Sequence, residues 1–211
     1  MVALPPGLDE ESHRDVAVRV KAHLRQRMRG LRQALPAAVV RERSDRIVAR
    51  LVALAELQRA GRVALYWPME GRGEVDIRPL DGWLRERGTA VYYPFQDPTE
   101  RGYRTGFRLT PGTSDLVQRG QPYCEPPRNA PEAGSGEIDV VVVPALAVAP
   151  SGHRLGHGSG FYDVTLPEQC PPGRVVVVAY DFQLLAELPV EPHDRAATVV
   201  ITDRQTLRVE R

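Results

Sequence analysis

From Val16 onward, apolar residues recur at intervals of three and four, at Val20, Leu24, Met28, Leu31 and Leu35, before Pro36 interrupts the series. That spacing lays one apolar stripe along a helix and predicts a first helix ending near Pro36. Lys21 and Arg25 stand four apart and share a face of it. Val40, Ile47, Leu51, Leu54 and Leu57 trace a second helical stripe, closed at Gly61. The period then changes. Arg62–Trp67 (RVALYW) reads as a strand, residues 76–88 as a helix ended by Gly88, and residues 90–94 (AVYYP) as a second strand, together one β-α-β unit. Ile138–Pro144 (IDVVVVP) and Arg174–Tyr180 (RVVVVAY) are nearly unbroken β-branched runs, the pattern of strands covered on both faces. Thr198–Thr202 (TVVIT) reads as a last strand.

Residues 95–137 are rich in Pro, Gly and Thr and predict a long surface excursion holding one short strand, Tyr103–Leu109 (YRTGFRL). Strands alternating with helices imply an α/β fold, a mostly parallel, doubly wound sheet flanked by helices. The length of 211 residues suits a single domain, expected over 16–211 behind a flexible N-terminal arm at 1–15. No internal repeat suggests a solenoid.

Composition narrows the partners. At 42% hydrophobic and 26% charged residues the chain is an ordinary globular one. With 28 Lys+Arg against 27 Asp+Glu, it carries no field that would hold nucleic acid non-specifically. No apolar run approaches the roughly 18 residues of a membrane helix, and the opening MVALPPGLDEESHRD lacks the basic and apolar regions of a signal peptide. A cytoplasmic monomer without nucleic-acid or membrane partners is expected. Cys124 and Cys170 have no CxxC or His-rich companion, so they read as thiols rather than a disulfide or zinc site. Lys21 is the single lysine of the chain, which points to a site that needs a compact ammonium instead of a guanidinium fork. The count alone fits a leftover surface lysine equally well.

The densest chemistry is RLGHGSGFYD (Arg154–Asp163), just beyond the Ile138–Pro144 strand, where open α/β sheets bind ligands. Gly156, Gly158 and Gly160 alternate, so the backbone can turn successive N–H groups toward one anion. A helix predicted from Phe161 adds its positive end. The spacing is neither that of a Walker loop nor that of a dinucleotide fingerprint. Arg154 can fork onto phosphate oxygens, and Asp163 is a hard oxygen ligand of the kind Mg²⁺ takes beside a nucleotide.

These residues resemble the 5-formyltetrahydrofolate cyclo-ligases, also called methenyltetrahydrofolate synthetases. The likeness runs through KAHLR (Lys21–Arg25), YWPMEGRGEVDI (Tyr66–Ile77), CEPP (Cys124–Pro127), DVVVVPALAVAPSGHRLGHGSGFYD (Asp139–Asp163) and LPVEPHDRAATVVIT (Leu188–Thr202). It implies ATP-driven, Mg²⁺-dependent closure of 5-formyltetrahydrofolate to the 5,10-methenyl form, with ADP and phosphate released. Transfer of the γ-phosphoryl group to the formyl oxygen makes a leaving group, and the neighbouring nitrogen closes the ring. By matching position, Lys21, Arg25, Arg154, Leu155 and the loop Gly156, His157, Gly158, Ser159, Gly160, Phe161 and Tyr162 would hold ATP. Arg154 and Tyr162 stand as its catalytic residues, and Asp163 and Asp194 as its Mg²⁺ ligands. Glu74 matches the residue that contacts the folate, in a pocket walled by Trp67, Met69 and Tyr162.

The chain departs from the family pattern in an inserted Gly71–Arg72 pair, in Ala149 where Asp is common, and in Val164 where Arg is usual. His157 and Ser159 occupy variable loop positions. Plainer roles compete for several residues: Glu74 as a cap of the following helix, His157 as a solvated loop histidine, Asp194 as a turn cap, and Trp67, Met69 and Trp83 as core. Two other functions compete as well, a family paralogue with another substrate and a non-catalytic nucleotide- or phosphate-binding protein.

Overall fold

The computed structural model describes residues 10–100, 102–119, 123–191 and 194–209. Strands β1 (Arg62–Ala64), β2 (Ala90–Thr99), β3 (Gly102–Leu109), β4 (Val117–Gln118), β5 (Cys124–Glu125), β6 (Val140–Pro144), β7 (Ala147–Val148), β8 (Arg154–Leu155), β9 (Arg174–Val178), β10 (Val199–Ile201) and β11 (Thr206–Arg208) follow one another in the chain. Helices α1 (Glu10–Gln33), α2 (Ala37–Val52), α3 (Ala55–Arg59), α4 (Arg78–Glu86) and α5 (Phe161–Gln169) lie among them. Seven strands form one sheet in the order β11-β10-β9-β6-β1-β2-β3. The inner pairs are parallel, and both edge strands, β3 and β11, run antiparallel to their neighbours.

The unbroken Val runs are explained by burial on both faces. Val140, Val142, Val176 and Val178 pack with Ile47 and Leu51 of α2 and Leu80 and Leu84 of α4. Their alternates Val141, Val143, Val175 and Val177 pack on the opposite side with Leu166 and Phe161 of α5. Period-two geometry thus sends every valine of these two strands into one core or the other.

Several predicted boundaries move. α1 starts at Glu10, so the arm expected over 1–15 is helical from that residue, and its first nine positions lie outside the described residues. The second predicted helix is broken into α2 and α3 at Ala53 and Leu54. The strand expected over Arg62–Trp67 pairs only as far as Ala64, because the chain must then leave the sheet to build the site. The largest difference is in the 95–137 excursion. β2 runs on to Thr99 and pairs with β3 along its length, so the excursion begins as an edge hairpin of the main sheet. Arg108 of β3, only 2% exposed, is held there by Asp97 and Glu132 and lies 3.7 Å over the Phe95 ring. A buried guanidinium inside a strand has no signature in hydropathy, since its partners come from other parts of the chain.

Candidate functional site

Chain connections leave β1 in opposite directions, through α4 to β2 on one side and eventually to β6 on the other, which makes the β1–β6 boundary the topological switch point of the sheet. Both halves of the site leave the carboxyl ends of these two adjacent strands. From β6, the β7–β8 hairpin delivers the glycine loop and then α5. From β1, the chain passes Tyr66, Trp67 and Met69 to Glu74.

The glycine loop separates two cavities. The smaller, about 70 Å³, is bounded by Lys21, Arg25, Arg154, Asp194 and the loop itself through Asp163. Gly158 and Gly160 hold φ +103° and +72°, conformations that favour glycine. Gly160 is also the N-cap of α5, with no side chain capping the helix. Among the described residues no hydrogen bond uses the N–H groups from Gly156 to Tyr162, which leaves a row of donors in the cavity lining at a helix N-terminus. Leu155, buried with Met28, supplies apolar backing.

Cations and carboxylates alternate around this cavity. Lys21 Nζ lies 2.5 Å from Glu191 Oε2 and 3.1 Å from Asp194 Oδ2. Lys21 is therefore not a surface lysine: it is 7% exposed. Asp194 also accepts the Glu191 N–H at 2.8 Å, so it closes a turn and pairs with Lys21 at once. Arg154 donates to Asp163 Oδ1 at 2.9 Å and to the Arg195 carbonyl at 2.8 Å. Burial pulls the Arg154 guanidinium below its ordinary range, opposed by the Asp163 charge. Its carbon Cζ sits 5.9 Å from the centre of the Tyr162 ring, and burial raises the Tyr162 hydroxyl well above its usual value.

The larger cavity, about 470 Å³, lies on the other side of the loop and is walled by Trp67, Met69, Tyr162, Phe95 and Tyr123, with Glu74 in its lining. Its size is that of a pocket for a small organic ligand. Glu74 is 5% exposed, and it does not cap α4, whose N-cap is Ile77. Its Oε2 accepts the Met69 N–H at 2.8 Å; its Oε1 lies 3.1 Å from His157 Nε2 and 3.4 Å from Arg32 Nη2. The Glu74 backbone is fixed too, since Tyr180 donates to its carbonyl at 3.1 Å and Tyr66 to that of Val75 at 2.6 Å. Gly71 and Arg72 lie in the turn between Met69 and Glu74, where Gly71 and Gly73 take positive φ. A Cβ on Gly73 would stand 2.5 Å from the Arg32 carbonyl oxygen.

α1 departs most from its predicted role. Val20 and Leu31, assigned to the buried stripe, are 39% and 45% exposed, while Lys21, Met28 and Arg32 are buried. The helix turns a basic stripe to the site: Lys21, Arg25 donating to the Gly156 carbonyl at 3.1 Å, Arg29 to the His157 carbonyl at 3.0 Å, and Arg32 to the Arg72 carbonyl at 2.8 Å. Arg29 and Arg32 escaped the sequence reading. Their signal was available, because they continue the Lys21–Arg25 spacing by four and then three residues. His157 likewise is no solvated histidine, since it reaches across to Glu74. Trp67 is half-buried and meets Tyr93 edge to face at 6.1 Å, so it serves the core and the cavity wall together. Trp83, half-buried beneath Arg87, packs against the core as expected.

The model of the 5-formyltetrahydrofolate cyclo-ligase family matches residues 17–203. The chain belongs to that family. It is 36% identical over 190 residues to the 5-formyltetrahydrofolate cyclo-ligase of Mycolicibacterium smegmatis, covering 89% of this chain and 95% of that one. The Escherichia coli K12 enzyme of the same name is 32% identical over 177 residues, covering 83% and 96%. Among solved structures, the Aquifex aeolicus 5,10-methenyltetrahydrofolate synthetase superposes with a TM-score of 0.78 at 27% identity, over 91% of this chain and 94% of that one.

The residues fit the nucleotide and metal that such a ligase would use. Unused loop N–H groups, Lys21, Arg25 and Arg154 suit phosphate. Asp163 and Asp194 offer hard oxygens beside them, each now balanced by a cation. Among the described residues no group of three or more His, Cys, Asp or Glu side chains could hold a metal alone. Mg²⁺ takes one or two carboxylates and completes its shell with phosphate oxygens and water, a share that Asp163 and Asp194 could supply. Cys124 and Cys170 form no disulfide, and no described helix is long and apolar enough to cross a membrane.

Proposed function

We propose that the protein closes 5-formyltetrahydrofolate to 5,10-methenyltetrahydrofolate with ATP and Mg²⁺, releasing ADP and phosphate, as a cytoplasmic monomer. The observation that carries this reading is the shared wall. His157, Ser159, Phe161 and Tyr162 line both the phosphate-suited cavity and the larger aromatic one, so ligands in the two would meet across the loop. ATP, when bound, supplies the phosphoryl group that lets the formyl oxygen leave, and Mg²⁺ offsets the phosphate charge.

The chain's own residues position and shield. Lys21, Arg25 and Arg154 would hold phosphate oxygens, with the loop N–H groups as fixed dipoles that need no reorganisation. Asp163 and Asp194 would hold the Mg²⁺. Glu74, fixed by Met69 and Arg32, would accept N–H donors of the pterin side, while Trp67, Met69 and Tyr162 supply an apolar wall for a flat ring. Tyr162, half-buried beside Arg154, would help keep water from the shared wall.

Absorbance of the methenyl product, followed with 5-formyltetrahydrofolate, ATP and Mg²⁺, tests this. Product should appear only with all three present, with one ADP per ring closed. ATP binding without ring closure would instead favour a family member with another substrate, for which Arg72 in the cavity wall is the specific observation. Phosphate binding with no ADP formed under any condition would leave only a binding protein.

A further inference from the structure

The loop residues Gly156–Gly160 are held mostly by their backbone: Arg25 takes the Gly156 carbonyl and Arg29 that of His157. Among the described residues, the side-chain tether from this loop to another part of the site is His157, whose Nε2 lies 3.1 Å from Glu74 Oε1. His157 faces both cavities. Its partner can register the arrival of a ligand, since Glu74 Oε2 is already taken by the Met69 N–H and Oε1 is shared between His157 and Arg32.

We propose that His157 is a positioning residue that couples the two cavities: by bonding Glu74 it links the ordering of the nucleotide loop to occupancy of the folate cavity. This rests on the functional reading above. The physical basis is conformational entropy. A loop with glycine at three of five positions costs much to order, and one 3.1 Å hydrogen bond from a partly buried histidine holds it only in part. Glu74 and His157 both line the larger cavity, so a folate seated there packs against both ends of that bond and holds the loop to the already fixed Glu74, and part of the ordering cost is met before nucleotide arrives. Linkage makes the effect reciprocal, and nucleotide raises folate affinity by the same factor.

The test is calorimetric titration of a non-hydrolysable ATP analogue with Mg²⁺, with and without saturating 5-formyltetrahydrofolate. In the wild-type protein the folate should tighten analogue binding by about fivefold or more. In His157→Ala the affinity of each ligand alone is the new reference, and the factor by which folate tightens analogue binding should fall to near one. His157→Gln, which keeps a donor of similar reach, should retain most of it. His157→Asn, polar but too short to reach Glu74, should lose it, and it serves in place of the Ala variant if that one melts early. Equal coupling in wild type and His157→Ala, or no coupling in wild type, overturns the proposal. Failure of the functional reading shows itself separately, as wild-type protein that neither binds 5-formyltetrahydrofolate nor closes it.

Discussion

Replacing Glu74 with Gln keeps the shape of the side chain and removes its charge, and the structure says where the loss is felt. Gln can still accept the Met69 N–H through its oxygen, which turns its NH₂ toward Arg32 and His157. Arg32 has no acceptor to offer, so two donors then face each other. Burial already depresses the Arg32 guanidinium, with the Glu74 charge opposing, and in the variant that opposition is gone. Breaking a tight buried pair costs about 3–5 kcal/mol, but this one is long at 3.4 Å and Arg32 keeps the Arg72 carbonyl, so about 2 kcal/mol is expected. For a chain of this length that lowers the melting temperature by about 4–8 °C. Cyclisation should fall by about a hundredfold, the effect of losing a positioned charge worth about 2.7 kcal/mol at 1.36 per tenfold. ATP affinity should stay near wild type, since its cavity does not include Glu74. Because the variant loses both stability and rate, Glu74→Gln with Arg32→Met separates them: removing the stranded cation should recover melting temperature and leave the rate low. Folded Glu74→Gln protein that cyclises at the wild-type rate would refute the assignment of Glu74 to the folate.

Other outcomes follow from the same geometry. Lys21→Arg should weaken ATP binding by about tenfold or more, because a fork cannot replace a point charge between Glu191 and Asp194; calorimetry with ATP and Mg²⁺ reads it. Gly158→Val places a β-branched residue at φ +103° beside Arg25, and it should abolish measurable ATP affinity while lowering the melting temperature by only a few degrees. Gly73→Ala should destabilise by about 2 kcal/mol or more, read from urea unfolding, since its Cβ meets the Arg32 carbonyl and φ is +60°. The Arg108 hydrogen bond holds Asp97 below its ordinary 3.8, and hydrogen bonds from Arg104 and then Arg108 hold Glu132 below 4.5. Depressed carboxylates contribute stability that is fully present above those ordinary values and lost as pH falls through the lower folded ones. Melting temperature should therefore drop below about pH 4, and Asp97→Asn should flatten that acid limb, an unchanged limb speaking against it.

What could be read locally was read well where each residue's neighbours lie close in the chain or where burial is complete. The β-branched runs announced doubly covered strands because the side chains at 140–143 and 175–179 are all apolar. The glycine loop was legible because alternating glycines leave consecutive backbone N–H groups free of side chains, a local property. α1 misled because its buried face carries charge: Lys21 and Arg32 are turned inward by carboxylates and carbonyls that lie far along the chain. Periodicity weighs only hydrophobicity, and at such a site the hydrophobic rule is set aside.

The sequence by itself determined the α/β class, the position of the glycine loop beyond β6 and, through resemblance, the family. Those follow from short-range patterns and from motif order. Only the tertiary structure decided that residues 95–109 form a hairpin on the sheet edge, that Glu74 faces His157 across the loop, and that Lys21 is clasped by Glu191 and Asp194. Each of these joins residues separated by anywhere from several to more than a hundred positions, and strand pairing and ion pairing are satisfied by whichever partner the fold brings near. No property of one residue's neighbours in sequence can name a partner that distance in space alone selects.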